Sequence, residues 1–248
     1  MPLPTPPGGD GRSSGETMKR FYEQAEAGET ADGFQVLLDG RPVRTPAKAA
    51  MALPTRALAE AVAAEWRAQE TEIRPPTMPL TQLASTTLDL TIRQREAVID
   101  QLAAYAGTDL VCYRVDHPPE LVAREGQAWQ PLLDWAALRH DAALLAVSGI
   151  MPREQPEGAR RALRAAVAAV DDWTLTALQT TVTACGSLVI GLALIEGRID
   201  AAGAFEASQL HESYQIERWG EDHESTRHRA ALRADIADVR RFAELLAP

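Results

Sequence analysis

The chain has 248 residues, 46% of them hydrophobic and 24% charged, the profile of a globular protein of one or two domains that can bury a sizeable core. Its net charge of −10 argues against nonspecific nucleic-acid binding, which needs Lys and Arg to neutralise phosphates, and makes a basic protein surface the better partner. Cys112 and Cys185 stand apart with no C-x-x-C pair, so they read as small core residues in a reducing compartment, with no redox motif and no zinc site.

Residues 1–17 are rich in Pro, Gly and Ser and lack the apolar segment of a signal peptide, so they are expected to be a disordered tail. Residues 18–92 read as a small antiparallel β-rich domain with a covering helix. Arg20-Phe21-Tyr22, Phe34 to Leu38, Pro42 to Pro46 and Met51 to Leu53 are extended stretches, and Asp39-Gly40 between two of them is a hairpin signal. Thr55 caps a helix in which Leu58, Val62 and Trp66 recur every four residues, and Trp66 is expected to pack that helix on the sheet. The proline-rich Ile73 to Pro79 tract cannot be regular helix.

Residues 93–248 read as a larger all-helical domain, which makes the fold class α+β. Val98, Leu102 and Tyr105 mark one helix; Trp129, Leu132, Leu133 and Trp135 a second; Leu163, Val167 and Val170 a third, entered at Pro156. Leu110 to Tyr113 is either a short strand or a buried connection. A long apolar helix is expected from a cap at Asp172 to a stop at Gly197, with Gly186 and Gly191 inside it for close packing against another backbone. Its apolar run, Val182 to Ile195, is short of the roughly 20 residues that span a bilayer. Asp200 caps a further helix leading to Trp219, and Leu232, Ile236, Val239, Phe242 and Leu246 form a final amphipathic stripe.

Chemistry-bearing motifs are mostly missing. No phosphate-binding loop, dinucleotide fingerprint or G-x-S-x-G elbow occurs, and Gly186-Ser187-Leu188 lacks the second glycine. His223 and His228 are five apart, a turn of about 140° against about 40° for the i,i+4 pair of a zinc protease, so no metal site and no cofactor are expected. Glu221 and Asp222 are adjacent and point about 100° apart on a helix, a poor acid/base pair across one substrate.

The most informative stretch is Tyr214 to Glu224, where an aromatic, a helix-breaking glycine and a carboxylate cluster adjoin. On a continuous helix Glu217, Glu221, Glu224 and His228 share one face, while Phe205, Ile216 and Trp219 share another. Like charges at this spacing do not stabilise a helix, so a cationic partner would account for them; a helix restarting after Gly220, with acids complementing its N-terminal dipole, is the structural alternative. The candidate docking edge is Glu217, Trp219, Glu221, Asp222 and Glu224, with Trp219 also readable as a core or hinge residue.

Lys19-Arg-Phe-Tyr22, Leu38-Asp-Gly-Arg-Pro-Val-Arg-Thr-Pro46, Glu65-Trp66, Thr77-Met-Pro-Leu80, Asp109-Leu-Val-Cys-Tyr-Arg114, Trp129 with Pro131-Leu-Leu-Asp-Trp135, Gly186-Ser-Leu188 and Trp219-Gly-Glu-Asp222 appear in this order. With that pattern the chain resembles the assembly chaperones that hold the alpha subunit of the F-type ATP synthase catalytic sector, in mitochondria and alphaproteobacteria. The resemblance implies a noncatalytic protein whose acidic positions near Trp-Gly-Glu-Asp are needed for chaperone activity; here these are Glu221 and Asp222, with Glu224 beside them. His211 and Tyr214 stand where the family often has Asp and Trp, and Cys185 where it often has Ser, which thins the acidic cluster and puts the role of Glu212 in doubt.

The function expected on these grounds is a monomeric chaperone that binds the unassembled alpha subunit until beta subunits displace it, with no nucleic acid partner and no integral membrane segment. A bacterial cytoplasm is the expected location, or the mitochondrial matrix for a eukaryotic chain. The alternative is a hydrolytic enzyme with Glu221 or Asp222 as general base; a stable subunit of the mature synthase is a third reading.

Overall fold

The computed structural model describes residues 18–31, 33–148, 153–220 and 222–247. The tail expected over residues 1–17 and the candidate Glu221 lie outside the described residues. The architecture is α+β: small antiparallel sheets with a helix come first, then a mainly helical region.

Strands β1 (Met18–Lys19), β2 (Ala25–Thr30), β3 (Gly33–Leu38) and β4 (Arg41–Pro42) open the chain. β2, β3 and β4 form one antiparallel sheet in that order, with Ala25 opposite Leu38 and Thr30 opposite Gly33. The hairpin signal at Asp39-Gly40 is real: both residues have positive φ, 48° and 76°, as a tight primed turn requires. The Asp39 carboxylate also accepts from the backbone N–H of Gln24 at 2.8 Å, which ties the turn to the start of β2. Arg20-Phe21-Tyr22 is not a strand; β1 ends just before it and β2 begins after it.

Helix α1 (Arg56–Arg67) is capped as expected, Thr55 Oγ1 accepting from the Leu58 N–H at 3.1 Å, and it buries Leu58, Ala59, Val62 and Ala63. Trp66 is half-buried and meets Tyr22 edge-on at 5.7 Å. β5 (Glu72–Ile73) pairs antiparallel with β1. The proline tract forms one 3-10 turn over Pro75–Thr77 and leads into α2 (Pro79–Thr86), which continues through a π-helical turn at Thr87–Thr91.

The helical region begins with α3 (Arg95–Ala104). Leu110 to Tyr113 turns out to be a 3-10 turn, Leu110–Cys112, running into β6 (Tyr113–Arg114). Then come α4 (Pro119–His140), β7 (Val147–Ser148) and α5 (Glu157–Ala169). β6 and β7 pair in parallel over two residues each, so this region is mainly helical rather than all-helical.

The single long apolar helix is in fact two, α6 (Asp172–Cys185) and α7 (Leu188–Ile195). The cap of α6 is Asp171, one residue earlier than expected, accepting from the Trp173 and Thr174 N–H groups at 2.9 and 3.0 Å. Gly186 is not a packing glycine: its φ of 67° ends α6 in the left-handed region, and a Cβ there would touch nothing. Gly191 is the close-packing one, since a Cβ would fall 2.6 Å from Val182 Cγ2 on α6.

The helix from Asp200 to Trp219 is likewise divided, into α8 (Ala201–Ser208) and α9 (Leu210–Trp219). Asp200 caps α8 through the Gly203 N–H at 2.7 Å. The final helix, α10 (His223–Leu245), carries the expected stripe and joins the two cores: Leu232 and Ile236 pack among the helices, while Val239 and Phe242 pack with the buried faces of β3 and α1. The Thr55 hydroxyl donates to the Leu245 carbonyl at 2.5 Å, so the end of α10 is tied to the start of α1.

Candidate functional site

The helix is broken at Gly220, so the continuous carboxylate face does not exist. Gly220 has φ 85° and ψ 168°, a conformation nearly confined to glycine, and its N–H closes α9 on the Ile216 carbonyl at 2.8 Å. Glu217 therefore belongs to α9, and Glu224 and His228 to α10. Asp222 is the N-cap of α10; one carboxylate oxygen accepts from the N–H groups of Glu224 and Ser225, both at 2.8 Å. The restart reading thus holds for Asp222, whose charge also complements the N-terminal end of the α10 dipole.

Trp219 is not a core residue. It is the last residue of α9 and 76% exposed, among the most exposed large apolar side chains described. The face it was expected to share is dispersed: Phe205 is buried on α8, Ile216 is half-buried and Trp219 faces solvent.

Glu217 finds its cation within the chain. Both carboxylate oxygens meet Arg124 of α4, at 2.9 and 2.8 Å, and this contact holds the Glu217 carboxyl below its ordinary pKa. The pair is exposed and adds little to stability. Next to it, Glu120 accepts from the Tyr214 hydroxyl at 3.0 Å and pairs with Arg218. Arg124 and Arg218 lie over the Tyr214 ring, at 5.3 and 4.8 Å. The edge read as anionic is therefore interleaved with guanidinium groups along the α4–α9 contact. Glu224 is exposed and makes no ion pair among the described residues.

Beneath this edge lies a buried polar layer. Glu125, fully buried on α4, accepts from the Val115 N–H at 3.1 Å and lies 2.6 Å from His211 Nε2. The Trp129 ring lies 5.1 Å from His211, with its indole N–H donating to the Ala207 carbonyl at 2.8 Å. His211 thus joins α9 to α4. Glu212 accepts weakly from the Ser225 hydroxyl at 3.3 Å, bridging α9 to α10 across the break. Arg124, Arg218, Glu120 and Glu125 were not found from sequence, because their partners across the α4–α9 contact lie 86 to 98 residues away in the chain and no local spacing encodes them.

Among the described residues no cluster of three or more His, Cys, Asp or Glu is arranged to hold a metal ion, and no helix is long and apolar enough to cross a membrane.

Residues 19–137 match the family model described as ATP12 chaperone protein. The chain is 43% identical in sequence to Atp12 from Paracoccus denitrificans, whose crystal structure superposes with a TM-score of 0.89 over 93% of this chain and 99% of that one. A crystal structure from Agrobacterium tumefaciens matches at 35% identity and a TM-score of 0.88, covering 92% of this chain and 86% of that one. The mitochondrial protein atp12 of Schizosaccharomyces pombe is 23% identical over 231 residues, 88% of this chain and 76% of that protein.

The fold and these relatives define a non-enzymatic assembly chaperone, which removes the hydrolase reading of Glu221 and Asp222. The chain belongs to the ATP12 chaperone family, which is involved in ATP synthase assembly.

Proposed function

We propose that this protein holds the unassembled alpha subunit of ATP synthase in a soluble form until beta subunits displace it, and that Glu217, Trp219, Glu221, Asp222 and Glu224 form the docking edge. The observation that carries this reading is the 76% exposure of Trp219 at the capped break between α9 and α10. A large indole held in solvent on a fixed helix end loses little conformational freedom on binding, and tryptophan is enriched among residues that dominate interface energy. Glu224 beside the break is available for a guanidinium on the partner, while Asp222 fixes the direction in which α10 leaves it. Exposed ion pairs add about 1 kcal/mol or less each, so apolar contact at Trp219 supplies more of the affinity than the carboxylates do. The free chaperone is a monomer, acting in a bacterial cytoplasm.

Coexpression with each catalytic-sector subunit, followed by size-exclusion chromatography, tests the reading. The expected result is a soluble complex with alpha that is lost in Glu221→Lys while that variant keeps its circular dichroism spectrum. Failure of the unmodified chain to form a complex with alpha would sink it.

A further inference from the structure

A cleft of about 1040 Å³ opens in the N-terminal region between β4, the β1–β5 pair and α2, away from the α9–α10 break. Three of the five methionines of the chain line it with Phe21, Tyr22 and Trp66: Met18 stands at the rim, while Met51 and Met78 are buried in its wall. Phe21, which meets Tyr22 edge-on at 5.4 Å, is 64% and Met18 59% exposed among the described residues, so apolar surface is presented at the cleft. Methionine-rich apolar surfaces adapt to occupants of differing shape, because the unbranched thioether chain repacks at low cost. The volume is at the upper limit of small-molecule pockets, about 1000 Å³, and suits a length of polypeptide.

Two further features define the occupant. The Trp66 indole N–H is enclosed and has no acceptor among the described residues, an orphan donor that a peptide carbonyl would satisfy once the lining repacks to admit it. The charge at the cleft is positive although the chain carries −10 overall. Among the described residues that line it, Arg41 and Arg44 are exposed, and the one carboxylate, Asp39, is engaged by the backbone N–H groups of Glu23 and Gln24.

We propose that this cleft binds an extended apolar segment flanked by carboxylates, supplied by the client polypeptide. Met18 and Phe21 cover the apolar side chains, Met51 and Met78 repack behind them, Trp66 donates to the backbone, and Arg41 and Arg44 pair with the flanking acids. This assignment rests on the chaperone reading above, and adds to it a second contact, in the N-terminal region, for non-native chain.

The probe is a short fluorescein-labelled peptide of alternating Val and Leu with Glu residues at both ends, titrated with the full chain and followed by fluorescence anisotropy. Saturable binding is expected, weakened about tenfold in Phe21→Ser through lost apolar contact. Trp66→Phe keeps a ring and removes the donor, and should weaken binding about fivefold. The same peptide with Lys ends should bind about tenfold more weakly than the Glu form. No saturable binding, an affinity unchanged in Phe21→Ser, or equal binding of the Lys form would overturn the proposal. Phe21 is exposed, so its variant remains decisive even if Trp66→Phe alters the fold.

Two other outcomes also overturn it. A dimer that Phe21→Ser dissociates would assign the cleft to a second copy of the chain. Peptide binding that tightens about tenfold on removal of residues 1–17 would assign it to the N-terminal segment of this same chain. Capture of alpha by the unmodified chain is scored separately: capture without peptide binding defeats the cleft alone, whereas no capture defeats the docking reading.

Discussion

Two helix breaks in this molecule use the same local device and end differently. At Gly186 and at Gly220 a glycine with positive φ stops one helix, and within two residues a polar cap starts the next: Ser187 accepting from the Ile190 N–H, and Asp222 accepting from Glu224 and Ser225. After Gly186 the chain folds an apolar helix against its predecessor, with Ser187 and Leu188 to Leu194 all buried. Around Gly220 the break leaves Trp219 in solvent and Asp222, His223 and Glu224 exposed. The backbone chemistry is shared; what differs is the neighbouring element. Asp109 reaches the first break, accepting from the Ser187 hydroxyl at 2.5 Å and the Val189 N–H at 3.0 Å, so that break is locked into the core. At the second, the support comes from α4 through the Glu217–Arg124 pair, on the surface.

The largest effect should come from unlocking the buried break. Asp109→Ala leaves the Ser187 hydroxyl and the Val189 and Val111 N–H groups enclosed without an acceptor, which should lower unfolding free energy by roughly 3 kcal/mol or more in urea titrations. Burial raises the Asp109 carboxyl from 3.8 to about 6 against the pull of those donors. The folded state therefore binds this proton more tightly than the unfolded state. The resulting stabilisation is full below pH about 4 and is lost as pH rises through about 6. Relative to Asp109→Asn, which lacks the titration, the unmodified chain should lose up to about 3 kcal/mol of stability between pH 4 and 7. A difference that stays flat over that range would show the carboxyl is not perturbed by burial.

Next in size are the glycines themselves. Gly220→Ala forces a non-glycine residue into a region it strongly avoids, at about 1–3 kcal/mol of local strain, whereas Gly186→Ala at a left-handed cap costs about 1 kcal/mol. Neither side chain would collide with a neighbour, so the effect is conformational in both. The functional outcomes should separate: Gly186→Ala keeps alpha capture, and Gly220→Ala weakens it by redirecting α10. Equal loss of capture in both would mean global stability, rather than the exposed break, controls binding.

How far the sequence discloses these features follows from what each signal measures. The Asp39-Gly40 hairpin, the Thr55 cap and the stripe of α10 were legible because short-range spacing determines them. β2 was not, since Ala25-Glu-Ala-Gly-Glu-Thr30 has almost no strand-forming side chains and is a strand by pairing to β3. The Gly186 break was read through because apolar residues lie on both sides of it, and periodicity does not distinguish one buried helix from two packed together. At the candidate site, sequence named candidate residues and left open whether the helix broke. Their environment was hidden: the cation for Glu217 comes from Arg124, 93 positions away, and apolar bias made Trp219 readable as a core or hinge residue, where the fold holds it out in solvent at the break.

The smallest effect on stability, and the one that best separates the two breaks, belongs to Trp219. An exposed side chain at a helix end contributes little to folding, so Trp219→Ala should shift unfolding free energy by less than about 0.5 kcal/mol. As an interface anchor it should weaken alpha binding by about 2 kcal/mol, roughly thirtyfold, in a titration of purified components. The buried counterpart, Leu188→Ala just after the first break, should do the reverse, losing about 2–5 kcal/mol of stability with unchanged affinity for alpha in the fraction that stays folded. A Trp219→Ala chain that unfolds as easily as Leu188→Ala would place the indole within the core and remove the contrast; one that binds alpha undiminished would leave Trp219 exposed without a role in docking.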